Sequence, residues 1–144
     1  MTQQQIQIIK DCIPALEQHG KEITKEFYRI LFEDYPEVKP LFNPQKQESE
    51  EQPKALATAI LKAAQNIENL DALTSFVDKV AHTHVKLQVQ PEHYPLVGTS
   101  LLKAIKNILN PDDRVLEAWG AAYDKIAQFY IARESELYDK QENK

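Results

Sequence analysis

Apolar residues recur at helical spacing along almost the whole chain, and no stretch alternates apolar and polar residues as a strand would. The first periodic run follows Thr2 and Gln5, whose three-residue separation is that of a capping box, and Gly20 is expected to end this helical region. The pattern predicts an all-α domain with six to eight helices of unequal length.

Two further helix starts are expected from local sequence. One lies at a capping box opened by Ser49 or at Pro53, and Pro53 is favoured because a proline disfavours helical dihedrals in the residue before it. Gln52 then lies just outside the helix. For the last long helix, Asn110 is expected to be the cap and Pro111 the first helical residue.

One predicted helix carries a histidine on its apolar face. Phe76, Val77, Val80 and His84 share that face, whereas His82 points to roughly the opposite side. A buried imidazole needs a hydrogen-bond partner or a metal, since an unpaired buried polar group costs about 1–3 kcal/mol. Taken alone, such a histidine is more often a structural core residue than a metal ligand.

Composition restricts the classes of function. The 144 residues are enough for one domain, and 42% apolar and 27% charged residues are typical of a globular protein. The net charge of −5 argues against nucleic acid as a partner. No apolar run reaches the roughly 20 residues of a membrane span, and no export signal is visible, so we expect a cytoplasmic protein. Cys12 is the single cysteine, which excludes an internal disulfide.

Common catalytic motifs are absent from the sequence. Gly20, Gly98 and Gly120 are too far apart for a phosphate-binding glycine loop. There is no Gly-x-Ser-x-Gly motif, and neither Glu-x-x-His nor His-x-x-x-His ligand spacing occurs on any predicted helix. Any cofactor is therefore expected to be held mainly by apolar walls.

Several blocks of the sequence occur together, in order, in one known family. They are Phe27-Tyr28, Tyr35-Pro36-Glu37-Val38-Lys39-Pro40-Leu41-Phe42-Asn43, Gln65-Asn66-Ile67-Glu68-Asn69-Leu70, Glu92-His93-Tyr94-Pro95-Leu96-Val97-Gly98, Ala118-Trp119-Gly120-Ala121-Ala122-Tyr123 and Arg133-Glu134-Ser135-Glu136-Leu137-Tyr138. With His84 in its helix, the chain resembles the bacterial haemoglobins of the flavohaemoglobin lineage. The resemblance implies a globin domain over residues 1–138, a polar tail over 139–144, and haem b in a pocket between the helices.

The resemblance assigns His84 as the iron ligand on the proximal side of the haem. It also implies that Tyr94 and Glu136 stand behind that ligand, hydrogen-bonded to the far imidazole nitrogen and raising its basicity. Such a ligand donates more electron density to iron, which favours oxygen chemistry over simple oxygen carriage. The alternative for Glu136 is a surface ion pair with Arg133, three residues earlier.

On the distal side, the resemblance implies that the Tyr28 hydroxyl donates a hydrogen bond to bound oxygen and that Gln52 is the distal glutamine. Pro53 restricts Gln52 and weakens that assignment. The apolar residues implied to contact haem are Phe42, Leu56, Val80 and Val97.

The function implied by the resemblance is nitric oxide detoxification. Haem iron binds O2, NO reacts with it to give nitrate, and an external reductase restores ferrous iron, because the chain stops at Lys144 before any flavin or nicotinamide domain. The alternative is a protein that binds and delivers O2 without consuming it. A third reading is a helical interaction module in which His84 is only structural.

Overall fold

The computed structural model describes residues 1–41 and 51–142, and only the backbone of residues 51–53, 141 and 142. Within these ranges the chain forms six α-helices and two 3-10 helices, and no strand. In order they are α1 (Gln3–Asp11), α2 (Ile13–Asp34), a 3-10 helix (Pro36–Leu41), α3 (Glu51–Gln65), a second 3-10 helix (Leu70–Leu73), α4 (Thr74–Lys86), α5 (His93–Leu109) and α6 (Asp113–Glu142). The prediction of an all-α fold is confirmed.

The expected capping box at the start of α1 is confirmed, but the expected helix end at Gly20 is wrong. The Thr2 hydroxyl accepts the Gln5 N–H at 3.1 Å, and the Gln5 side chain accepts the Thr2 N–H at 3.1 Å. Helix α2 continues through Gly20 to Asp34. A Cβ at Gly20 would lie 3.5 Å from the Ala57 Cβ, so the glycine sits where α3 packs against α2. Close packing outweighs its low helix propensity, which costs about 1 kcal/mol.

Helix α3 begins at Glu51, two residues before Pro53. The preference for Pro53 at the first helical position is therefore wrong, and Gln52 lies inside the helix rather than before it. Proline is tolerated here because the N–H groups of the first turn have no partner within the helix.

The sequence around Asn110 ends one helix before it begins the next. Asn110 adopts the left-handed conformation, with φ 47° and ψ 51°, and is the C-cap of α5. The Asp112 carboxylate accepts the Val115 N–H at 3.1 Å at the start of α6. The expectation that Asn110 caps α6 is thus wrong, because asparagine tolerates the left-handed conformation that terminates a helix.

Most of the apolar side chains form one cluster, which we call the main core. Helix α2 lies at its centre and packs against α3 and α5. Its largest fully buried apolar side chains are Ile9, Ile23, Phe27, Leu31, Ile67 and Ile105. These residues come from α1, α2, α5 and the connection after α3, so the main core joins both halves of the chain.

Helix α4 packs chiefly against α6 and lies outside the main core. A second, smaller cluster of Ala81, Val85 and Leu137, with Tyr138 packed against it, joins the two helices; we call it the α4 cluster. His82 is exposed and His84 is only partly exposed, as the periodicity predicted.

Helix α6 extends through Glu142, four residues past the expected boundary between domain and tail at residue 138. In the described part of the chain, none of the helices combines the length and apolar character that a membrane span requires.

Candidate functional site

The site is built from one side chain of each of α4, α5 and α6. His84 Nδ1 lies 2.8 Å from Glu134 Oε2 and 3.3 Å from the Tyr94 hydroxyl. The Tyr94 hydroxyl in turn lies 2.8 Å from both oxygens of Glu134. The Glu134 carboxylate is thus shared between the imidazole and the phenol.

The protons of this site can be placed from its chemistry. Burial, followed by the negative charge of Glu134 and its hydrogen bond, raises the pKa of Tyr94 well above its usual value. The phenol therefore stays protonated and donates to Glu134, which is 4% exposed. A carboxylate acceptor beside Nδ1 favours the tautomer that carries its proton there. The lone pair of His84 is then on Nε2.

The described residues leave Nε2 available. Every hydrogen bond that they make to the His84 ring ends at Nδ1. The ring lies 6.0 Å from the Tyr130 ring, centroid to centroid, and the His84 side chain is 31% exposed. The imidazole is therefore fixed by one nitrogen and can present the other to a ligand.

Helix α6 also holds the backbone of Tyr94. The Tyr123 hydroxyl donates to the Tyr94 carbonyl at 2.6 Å. Gly98 makes this contact possible, because a Cβ there would lie 2.6 Å from Cε1 of the Tyr123 ring. Both the main chain and the side chain of Tyr94 are thus positioned by α6.

The prediction that Glu136 stands behind His84 is wrong; Glu134 occupies that place. Glu136 is exposed and accepts a hydrogen bond from Arg133 at 2.7 Å, which is the alternative that the sequence offered. Arg133 also pairs with Asp78 of α4. The two glutamates are two residues apart, so on a helix their side chains point about 160° apart.

Sequence spacing contained a signal for Glu134. It lies seven residues after Ala127 and three before Leu137, and both of these α6 residues are buried. Glu134 is therefore in phase with the apolar stripe, whereas Glu136 is not. A buried position occupied by a carboxylate requires partners, which makes it a functional candidate.

The predicted distal residues lie on α2 and α3, as far as they are described. Tyr28 is buried in α2 and packs edge-on against Phe27, with ring centroids 4.9 Å apart. Leu56 is partly buried against the main core. Phe42 and the side chain of Gln52 lie outside the described residues. Val80 of α4 and Val97 of α5, which the resemblance also implies to contact haem, are both partly buried.

Comparison with known proteins identifies the family. The globin family model matches residues 25–130. The chain belongs to the globin family. A bacterial globin from Campylobacter jejuni has a TM-score of 0.94 and 66% identity, with 96% of this chain and 99% of that chain covered. An engineered carbene transferase, derived from a candidate nitric oxide dioxygenase of Rhodothermus marinus, has a TM-score of 0.91 and 35% identity, with 98% of each chain covered.

This globin is also similar to part of a class of longer proteins. It is 48% identical over 134 residues to a flavohemoprotein of Pseudomonas aeruginosa, with 91% of the chain and 34% of that protein covered. The chain thus spans about a third of the length of the curated relatives it matches. The predicted resemblance to the flavohaemoglobin lineage is confirmed over the globin part.

Haem is the cofactor of globins, and the residues present fit it. A porphyrin supplies four nitrogens to iron and needs an axial ligand from the protein. The Nε2 lone pair of His84 is suited to that role, because Glu134 holds the proton on the opposite nitrogen. The partly buried apolar side chains of Leu56, Val80 and Val97 are of the type that lines a haem pocket.

Proposed function

We propose that this globin binds haem b through His84 and converts nitric oxide to nitrate with O2. When bound, haem supplies the chemistry: ferrous iron gives up one electron as O2 and NO combine to nitrate. The observation that carries the proposal is the hydrogen bonding of His84 Nδ1 to the Glu134 carboxylate at 2.8 Å.

The carboxylate determines how strongly His84 donates electrons. A negative acceptor on the Nδ1 proton gives the imidazole partial imidazolate character, and Nε2 becomes a stronger donor. Strong axial donors favour oxygen activation in haem enzymes. Tyr94 keeps the carboxylate in place by donating to it. This arrangement supports chemistry with O2 rather than reversible carriage alone.

Tyr28 is proposed to act on the ligand side. Its phenol is 8% exposed and belongs to the main core, so its position is set by rigid packing. A preorganised hydroxyl in a water-poor pocket stabilises negative charge that develops on oxygen during the reaction. Gln52 of α3 remains a proposed second polar group on this side.

Continued turnover requires one electron for each NO consumed. We propose that a separate reductase supplies it. In this proposal O2 and NO are the small ligands of the protein.

The experiment is a stopped-flow reaction of the oxygenated protein with NO. We expect one nitrate per haem within milliseconds, together with complete conversion to the ferric form. Slow oxidation, with O2 released unchanged, would instead support the alternative of O2 binding and delivery. Recovery of the ferrous form on addition of a reducing system would establish turnover.

A Tyr28→Phe variant tests the distal hydroxyl separately. We expect O2 to dissociate at least tenfold faster, since about 1.4 kcal/mol corresponds to a factor of ten and a hydrogen bond to a charged acceptor contributes roughly 1.5–3 kcal/mol. Tyr35→Phe, at the end of the same helix, is the matched control and should leave the rate unchanged. Equal rates in wild type and Tyr28→Phe would remove this residue from the proposal.

A further inference from the structure

The acidic residues of the chain are unevenly distributed. The protein carries 22 Asp and Glu and a net charge of −5, yet residues 52–67 and 79–91 contain no acid at all. These two stretches form most of α3 and the second half of α4, and their charged side chains are Lys54, Lys62, Lys79 and Lys86. These two segments of an acidic protein thus carry only positive charge, and the acids of the two helices, Glu51 and Asp78, lie outside them.

The four lysines line two helix faces that meet. Lys54 and Lys62 are eight residues apart on α3, and Lys79 and Lys86 are seven apart on α4, so each pair lies along one side of its helix. Lys79 follows Phe76 by three residues on the same side. The Lys62 Nζ lies over the Phe76 ring, 5.4 Å from its centroid, which joins the two faces.

These four lysines are exposed, and the described acids do not neutralise them. None of the four lysines forms an ion pair with an acid in the described part of the chain. By contrast, Lys10 pairs with Glu68, and Lys103 of α5 pairs with Asp34 at 2.9 Å. Unpaired charges of one sign on one face attract an oppositely charged partner together, and salt weakens this attraction.

An exposed apolar side chain adjoins the same face. Leu87 is 42% exposed and, in the described ranges, only Met1 is a comparably exposed large apolar residue. Leu87 follows Lys86 directly and lies three residues after His84. An apolar contact surrounded by charges is a common arrangement for protein partners, since charge guides the encounter and apolar burial holds the complex.

We propose that this basic face, defined as Lys54, Lys62, Lys79, Lys86 and Leu87, is the docking surface of an acidic electron-transfer protein. The inference rests on the proposed function, which requires such a donor. In each encounter the donor loses one electron and ferric haem iron becomes ferrous, and no atom is transferred. Lys86 and Leu87 follow His84, the residue that would hold the haem iron, by two and three positions, so a donor bound here would lie near that residue.

The first test measures reduction of the ferric holoprotein by reduced flavodoxin, a small acidic flavoprotein. Lys79→Glu/Lys86→Glu should lower the second-order rate about tenfold at low salt, and the difference should shrink as salt rises. Lys106→Glu/Lys125→Glu is the matched control, with the same change of charge on exposed lysines of α5 and α6. Reduced methyl viologen, a cation, should not be slowed by either pair.

The second test measures binding without electron transfer. Oxidised flavodoxin titrated into isotopically labelled holoprotein should shift amide signals of α3 and α4. Leu87→Ser should weaken this binding several-fold without changing its salt dependence, whereas Lys79→Glu/Lys86→Glu should change that dependence. Shifts confined to other helices would overturn the inference.

Three further outcomes would also overturn it. An equal loss of rate in Lys106→Glu/Lys125→Glu would show that the rate depends on the total charge of the protein and not on the basic face. Faster haem loss from Lys79→Glu/Lys86→Glu, with an unchanged flavodoxin rate, would assign the lysines to the haem carboxylates. Binding to anionic lipid vesicles, with an unchanged flavodoxin rate, would assign them to a membrane. Failure of the proposed function is separate, since it appears as missing nitrate in wild type.

Discussion

The main core and the α4 region are held together by different interactions. The main core is a cluster of apolar side chains around α2, with Ile9, Leu31 and Ile105 almost fully removed from solvent. The α4 cluster has only Ala81 and Val85 on its own helix, packed on Leu137. Around it lie hydrogen bonds and ion pairs.

The polar contacts of the α4 region join it chiefly to α6, with one further contact from His84 to Tyr94 of α5. His84 bonds to Glu134, Asp78 pairs with Arg133, and the Tyr138 hydroxyl donates to the Val89 carbonyl at 2.6 Å. Apolar burial is non-directional and sets the fold, whereas hydrogen bonds fix distances and angles. Apolar burial therefore holds the helices of the main core together, whereas hydrogen bonds fix the orientation of the His84 imidazole.

The largest expected effect comes from the main core. Leu31→Ala should lower the free energy of unfolding by about 2–5 kcal/mol, because Leu31 is 0% exposed and its removal leaves a cavity. Urea denaturation measures the loss. The iron–histidine stretching frequency of the deoxygenated protein should not change. A shift in that frequency would show that the two regions are not independent.

A smaller loss of stability, with a clear spectral signal, is expected from the site. Glu134→Gln should cost about 1–3 kcal/mol and lower the iron–histidine stretching frequency, because a neutral amide accepts the Nδ1 proton less strongly. Resonance Raman spectroscopy reports the frequency. Glu136→Gln is the control, since Glu136 is exposed and bonds only to Arg133 among the described residues. A change in the control but not in Glu134→Gln would reverse the assignment.

The smallest expected effect is a pH dependence. Burial, with a further contribution from the Glu134 charge, raises the pKa of Tyr130 to about 12. Its folded pKa is above the unfolded value of about 10, so its stabilisation is full below pH 10 and is lost as pH rises towards 12. Urea denaturation between pH 9 and 12 should show a shallower decline in Tyr130→Phe than in wild type. Parallel curves would contradict the raised pKa.

The helices were predictable because their signals are local. The period of apolar residues and the Thr2 and Gln5 pair act within one or two turns, so sequence spacing was enough to identify them. The errors at Gly20 and Asn110 have a different origin. Glycine can end a helix or allow close helix packing, and at Gly20 the packing against Ala57 decides for the second role. Asparagine can cap the start or the end of a helix, and Asn110 caps the end of α5.

The site was predictable only in part. Periodicity placed His84 on the inner side of α4, and the family resemblance named Tyr94. Choosing between Glu134 and Glu136 required the angle at which α6 faces α4, because both residues fall in the same short block. The apolar stripe of α6 extends through Glu134 to Leu137, so helical phase favours burial of Glu134 over Glu136, but it does not identify the helix that Glu134 faces.

The sequence by itself determined the helical fold, the family and the histidine, because each depends on residue types at fixed spacing within one segment. The tertiary structure alone decided which carboxylate supports that histidine. Residue 134 lies fifty positions along the chain from residue 84 and forms its hydrogen bond to that imidazole only when α6 packs on α4. Contacts between distant segments depend on helix rotation, which side-chain packing sets.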